Sequence, residues 1–347
     1  MREVLINGKF LSQRLTGVQR FACEITRRLP YPVVHPPMDA LSCSIPNERL
    51  KVGPIAGNIW EQLILPLFSR KKVLLNLGNT APLLHPRKIV TIHDLAWRKY
   101  PESFSRAFVA YYSFLIPRIA RRALHILTVS NFSKEQIMEE FRIPEEKITV
   151  VYNGVSPRFR PLDVEKEDII LSVATLQPYK NLKSLIKAFI LAKERNMIPQ
   201  SYRLVLVGGV NRKIFASAGE VFEAASRRDD IEFAGYMEDE QLVIMYNRAR
   251  IFAFVSLYEG FGLPPLEAMA SGTPVLLSDR ASLPEVGGDA ALYVNPLDIE
   301  EIASGISRLI EDRELWEELR RKGLERASRF TWEKSASRVK SVIDSLL

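Results

Sequence analysis

The sequence predicts an α/β protein built from two parallel-sheet domains, and three observations carry that prediction. Short apolar runs alternate with helical patterns in both halves of the chain. A stretch of proline and mixed charge, from Ser156 to Asp168, separates the halves and has the composition of an interdomain linker. The 347 residues are enough for two hydrophobic cores. The expected domains are residues 1–155 and 156–330, followed by a helix over 331–347.

Residues 3–6 read as a first strand that opens into Asn7-Gly8-Lys9. Thr16 suits a helix N-cap before Gly17, and Val18, Phe21, Ile25 and Leu29 then fall at helical spacing. A strand, a glycine loop and a helix start together form a junction that faces ligands. Arg20, one turn in, reads as a surface charge. The proline density of residues 30–58 argues for extended or irregular chain with edge strands. Trp60–Phe68 has a helical pattern, while Val73–Asn76 and Ile89–Ile92 are buried-strand runs. The second of these ends in His93-Asp94, at the carboxyl edge where open sheets hold their ligands. Ser103–Arg122 is a basic amphipathic helix in which Pro117 should kink or break the run. His125–Val129 and Lys147–Tyr152 are further strands, with Ser133 placed as a cap between them. His35, His85 and His125 read as structural.

In the second half a fresh alternation begins at Ile169–Val173. Strands recur at Arg203–Val207, Ile231–Phe233, Ile251–Val255, Pro274–Leu277 and Ala291–Val294. Gln177-Pro178-Tyr179-Lys180-Asn181 links the first strand of this half to a helix. A lysine there can reach phosphate as a point charge. Thr331 caps a helix that runs to residue 347.

Composition narrows the function class. No apolar run reaches the ~20 residues of a membrane-spanning helix, and the first residues read as a strand and turn, with no signal peptide. Cys23 and Cys43 lack metal-site spacing and are expected as free thiols in a reducing cytoplasm. Residues 1–155 hold 22 basic and 12 acidic side chains, whereas the rest hold 26 and 29. The basic half implies an anionic partner, either a phosphorylated acceptor or an anionic membrane surface touched through Arg118, Arg121 and Arg122. No interleaving of basic and aromatic residues points to nucleic acid.

The most informative stretch is Ser256–Gly272, Ser-Leu-Tyr-Glu-Gly-Phe-Gly-Leu-Pro-Pro-Leu-Glu-Ala-Met-Ala-Ser-Gly. It follows a buried strand, turns at Gly260 and Gly262, and opens a helix with Pro264 and Pro265 in the first turn. Such a helix start is a site for phosphate. Glu259 and Glu267 bracket the loop. Their spacing resembles the Glu-x7-Glu motif of retaining family 4 glycosyltransferases, together with the intervening Gly-Phe-Gly-Leu-Pro. The resemblance covers nearly the whole chain and is vague before residue 60.

That resemblance implies a GT-B fold, in which two Rossmann-like domains face each other across a cleft. It implies a nucleoside-diphosphate sugar as donor and a glycan or lipid-linked saccharide as acceptor, with mannose or rhamnose favoured and bacterial polysaccharide assembly as the setting. No separate cofactor and no metal are expected, because an Asp-x-Asp site is missing. By resemblance Glu267 grips the ribose, while Gly260, Phe261, Gly262 and Leu263 meet the diphosphate, with Gly17 bordering it. Lys180 neutralises the diphosphate, and His93 and Glu259 lie near the transferred sugar. The family arginine that often joins this lysine is replaced by Ala174 and Thr175. Glu285 reads as structural, and the last helix is expected to return to the first domain. The competing expectation is an inactive sugar-nucleotide-binding or scaffold subunit.

Overall fold

The computed structural model describes residues 3–38, 41–209 and 219–347. The chain forms two compact units, Met1–Gly154 with Thr331–Leu347, and Val155–Phe330. Each unit is an α/β layer built on a wholly parallel sheet.

Among its described residues the first unit carries β1 (Val4–Asn7), β2 (Val33–His35), β3 (Arg49–Lys51), β4 (Val73–Asn76), β5 (Lys88–Thr91), β6 (His125–Thr128) and β7 (Ile148–Val150). Their spatial order is β3-β2-β1-β4-β5-β6-β7. β1, β4 and β5 are buried at every position, as strands covered on both faces must be. The register pairs Leu5 with Leu74 and Leu75 with Ile89. Strand order reverses between β1 and β4, so the loops leaving these two strands diverge and open a crevice.

The second unit carries β8 (Glu167–Val173), β9 (Arg203–Val207), β10 (Ile231–Gly235), β11 (Ala249–Phe254), β12 (Val275–Ser278) and β13 (Ala291–Val294). The order is β10-β9-β8-β11-β12-β13, with the reversal between β8 and β11. Helices Leu182–Glu194 and Ile299–Glu311 pack on this sheet through Leu185, Phe189, Ile302 and Ile306, all fully buried.

Several local features depart from the sequence expectation. Residues 57–69 form one helical run, with a wide π turn at Trp60–Ile64. Pro66 has no N–H for the carbonyl of Gln62, and its ring crowds that carbonyl, which favours the wider turn. Helix Arg106–Arg122 runs unbroken through Pro117. The ring there removes a single backbone bond, while Leu115, Ile116, Ile119 and Ala120 hold both sides of it to the core. Helix Asn131–Phe141 is capped by Ser130, whose hydroxyl accepts from the Ser133 amide, so Ser133 itself lies inside the helix. Thr331 does cap helix Trp332–Leu346, accepting from the Lys334 amide.

The two cysteines are joined. Cys23 and Cys43 form a disulfide with 6.4 Å between their Cα atoms, which overturns the expectation of free thiols and removes the compartment inferred from it. Cys23 lies on the buried side of helix Gly17–Arg27. The chain after β2 folds back over this helix, where the Ser42 amide donates to Leu11 O at 2.8 Å and Arg27 Nε donates to Ser44 O at 2.8 Å. Cys43 is pinned between these two bonds. A separation of 20 residues carries no trace of that contact.

Helix Trp332–Leu346 packs within the first unit. Trp332 is fully buried and meets the edge of Phe21 at 6.2 Å. A Cβ added at Gly154 would lie 2.3 Å from the Trp332 backbone nitrogen, so only glycine allows the approach.

Candidate active site

In the second unit the two loops that leave β8 and β11 at the strand reversal are tied together. Leu257 N donates to Tyr179 O at 2.8 Å. Asn181 takes the left-handed conformation at φ 56°, which asparagine tolerates better than most residues. Its buried side-chain amide donates to Val255 O at 3.0 Å and to Pro296 O at 2.7 Å. That cross-tie fixes where its neighbour Lys180 points.

Lys180 Nζ meets Glu259 Oε2 at 2.5 Å, and both side chains are about five-sixths buried. The lysine is therefore held by a counter-ion. It also lies 5.0 Å from the Tyr179 ring centroid. Ser282 Oγ sits within hydrogen-bonding distance of Glu259 O (2.9 Å) and Phe261 O (2.8 Å), clamping the loop from the far side. Phe261 is buried edge-on against Phe330 at 5.8 Å.

Gly262 adopts φ 109°, and an added Cβ would come 3.0 Å from Leu283 Cδ2, so the turn into helix Leu263–Ala270 requires glycine. Pro264 and Pro265 delete two of the N–H groups that usually open a helix. The Leu263 amide and the helix dipole remain to face an anion. Glu267, in the same helix, is 7% exposed and accepts from the Tyr246 hydroxyl at 3.1 Å. The structure thus brings Lys180, Glu259, Gly260, Phe261, Gly262, Leu263 and Glu267 onto one strand-loop-helix junction and its neighbouring loop.

His93 and Gly17 belong to the first unit. His93 follows β5, its ring buried and edge-on to Phe21 at 5.0 Å. Nε2 donates to Leu77 O at 3.0 Å, which leaves Nδ1 as the acceptor nitrogen. Burial pushes the imidazole down to about 4, so it is neutral at physiological pH. Gly17 is the first residue of helix Gly17–Arg27.

The crevice between β1 and β4 holds a cavity of about 460 Å³ that the sequence reading did not find. On its floor Lys9 Nζ donates to Glu61 Oε2 (2.8 Å), Asn58 Oδ1 (2.6 Å) and Thr80 Oγ1 (3.2 Å). Glu61 Oε1 accepts from Asn7 Nδ2 and Thr80 Oγ1, both at 3.0 Å. The carboxylate is 1% exposed, and Lys9 neutralises it. Phe108, Tyr111 and Tyr112 form an aromatic wall, with Phe108 and Tyr112 stacked at 3.9 Å. Among the described residues the buried Tyr111 hydroxyl has no partner of good hydrogen-bond geometry, and Gln62 beside it is bonded to Ala81 O and Leu83 N. Burial, helped by the Glu61 charge, pushes this phenol up to about 12. A charge-balanced floor beside stacked rings suits a neutral, hydroxyl-rich ligand. The signal that could have found this site is Glu61, the one charge in the otherwise uncharged run of residues 57–69.

Comparisons with known proteins agree with this geometry. Residues 157–326 match the model of glycosyl transferases group 1, and residues 73–159 match that of glycosyltransferase family 4. The O-antigen chain mannosyltransferase RfbU of Salmonella typhimurium is 35% identical over 247 residues, spanning 71% of this chain and 67% of its own. The O-antigen chain mannosyltransferase B of Escherichia coli is 33% identical over 263 residues, with the same shares. Among solved structures, sucrose-phosphate synthase from Thermosynechococcus elongatus superposes with a TM-score of 0.78 over 100% of this chain and 99% of that one, at 19% identity. On these grounds the chain belongs to the family 4 glycosyltransferases, the glycosyl transferases group 1, and has their GT-B fold of two Rossmann-like units.

Proposed function

We propose that the chain transfers a mannosyl residue from a nucleoside-diphosphate mannose to a saccharide acceptor during assembly of a surface polysaccharide. The observation that carries this reading is the Lys180–Glu259 pair, seated at the strand reversal beside a glycine loop and the start of helix Leu263–Ala270. The mannosyltransferase names of the two relatives support mannose over rhamnose and support a glycan acceptor.

In this reading the donor diphosphate takes Lys180 from Glu259 and lies against the Leu263 amide. Glu267 holds the ribose hydroxyls. Glu259 holds hydroxyls of the transferred sugar. The acceptor sugar seats in the first unit against the Phe108–Tyr112 wall, which supports an uncharged ring there. We further infer that transfer retains configuration and needs no metal ion. The acceptor oxygen bonds to the anomeric carbon as the carbon–phosphate-oxygen bond breaks on the same face. The acceptor proton passes to the departing phosphate oxygen. Lys180, at the diphosphate, supplies the positive charge that a metal would otherwise bring.

The test is turnover of GDP-mannose and other sugar nucleotides with saccharide acceptors, the product linkage being read by NMR. An α-linked product from an α-linked donor, at a rate that EDTA does not change, is expected. An inverted product, or loss of rate with EDTA, overturns the mechanism. Absence of turnover with every donor overturns the function.

A further inference from the structure

Six of the large apolar side chains exposed on the first unit, Ile55, Ile59, Leu63, Leu67, Phe68 and Leu84, belong to one stretch of chain. Ile59 and Leu63 are each 61% exposed, while Leu67 and Leu84 are each 77% exposed. Isolated exposed leucines are ordinary, but a concentration of this kind marks an interaction surface. Ile59, Leu63 and Leu67 recur every four residues along the helical run 57–69, forming a stripe. The loop that bears Leu84 is bound to the same helix, since Gln62 Nε2 donates to Ala81 O and Leu83 N donates to Gln62 Oε1, both at 2.9 Å.

The charge around the stripe is predominantly basic, and the exposed Glu3 beside its end is neutralised by Lys72 at 2.5 Å. Between residues 49 and 93 the sequence contains a single acid, Glu61, and its carboxylate is buried against Lys9. Lys51, Arg70 and Lys71 are exposed around the stripe. Lys51 precedes Val52, whose carbonyl accepts from Trp60 Nε1 at 2.7 Å, so this cation is tied to the helix flank. Exposed leucine and isoleucine rimmed by Lys51, Arg70 and Lys71 complement an anionic lipid surface.

From this we infer that the helix of residues 57–69 docks the first unit onto an anionic membrane, with its stripe in the headgroup layer. The same helix points Trp60 and Leu65 into the core, and places Asn58 and Glu61 at the floor of the sugar-sized cavity. Docking through its outer side therefore sets that cavity at the bilayer surface, within reach of a saccharide whose far end is held in lipid. The inference rests on the glycosyltransferase reading for its purpose, but vesicle binding tests it independently of turnover. It also puts the membrane contact on a different helix from Arg118, Arg121 and Arg122.

The experiment is sedimentation of the full chain with vesicles of phosphatidylglycerol and phosphatidylcholine, against pure phosphatidylcholine. The parent is expected to bind the anionic vesicles, and the Leu63→Ser/Leu67→Ser variant to partition at least about ten-fold more weakly. The single variant Leu67→Asp, at the most exposed position of the helix, is expected to act likewise, with melting temperature and nucleoside-diphosphate binding unchanged in both. Charge removal at Arg118, Arg121 and Arg122 together is expected to leave vesicle binding within two-fold, roughly the screened effect of a distant charge. A parent that ignores anionic vesicles, or stripe variants that bind as the parent does, overturns the inference. So does a parent dimer that the stripe variants convert to monomer in light scattering, because a second copy would then cover the stripe. Stripe-dependent vesicle binding by a chain with no transferase activity would sink the proposed reaction and leave the docking surface standing.

Discussion

Replacing Glu259 with glutamine tests the centre of the site, and its effect on diphosphate affinity can be worked from the structure. Lys180 is held by Glu259 at 2.5 Å, with both side chains about five-sixths buried. A hydrogen bond between charged partners of this kind contributes about 1.5–3 kcal/mol. If Lys180 is the ligand of the donor diphosphate, that contact must be loosened as the diphosphate binds. Glutamine removes the charge but keeps an acceptor oxygen, so part of the competition persists. The expected gain is about 1–2 kcal/mol, or a Kd for GDP or UDP about five- to thirty-fold lower. Turnover should move the opposite way and fall by about two orders of magnitude, because the carboxylate is lost from the sugar in the transition state. Calorimetry with each diphosphate beside initial rates gives both quantities. Diphosphate affinity that is unchanged or weaker in Glu259→Gln shows that Lys180 does not trade one anion for the other, and refutes the reasoning.

The remaining predictions concern separate parts of the molecule. Glu267→Gln should weaken donor and free diphosphate alike by about 1–3 kcal/mol, read by the same calorimetry, since the buried carboxylate is placed for the ribose in both. A loss confined to kcat would assign it to the sugar instead. His93 is held down to about 4 in the folded chain against 6.5 as its ordinary value, so the unfolded chain takes up a proton that the native ring refuses. Stability from this group is full above pH 6.5 and is lost as pH falls toward 4, by on the order of 3 kcal/mol. The difference in unfolding free energy between parent and His93→Ala, followed from pH 7 to pH 4, should show that slope, and a flat difference removes the assignment. Cys43→Ser should lower stability by about 3 kcal/mol, the loop-closure value for a bridge spanning a short segment. Thiol titration of the unreduced, unfolded chain should find no free thiol, and two free thiols would return the cysteines to the reduced state.

The parallel sheets were legible because strands covered on both faces announce themselves as short apolar runs, as β4 and β11 do. The loop from Glu259 to Glu267 was legible because its glycines and prolines are local instructions to the backbone. What escaped is pairwise and distant in sequence. Lys180 shows no link to Glu259 in the sequence until Asn181 and Leu257 bring the Glu259 loop beside it. Ser282 and Tyr246, which hold that loop and Glu267, sit in segments with no pattern of their own. Lys9 and Glu61 read as a loop charge and a helix charge, 52 residues apart, until the strand reversal places them on one cavity floor. Pro117 was read by its local cost alone, and the core contacts on both sides of it outweigh one lost backbone bond.

The return of helix Trp332–Leu346 to the first unit makes the second unit an insertion within the first. Residues 155–330 are one unbroken length of chain, closed by a bond from the Val155 amide to Phe330 O at 3.0 Å. During synthesis this stretch has every residue it needs as soon as it leaves the ribosome. The unit begun earlier is the one completed later, because Phe21 and Gly154 wait for Trp332, which is made after the whole insertion. Until then the groove that Trp332 fills is open, and the nascent first unit carries an apolar surface that solvent or a chaperone must cover. Excising residues 155–330 should thus yield an independently folding piece, whereas cutting the chain after residue 330 should unfold the half that was translated first.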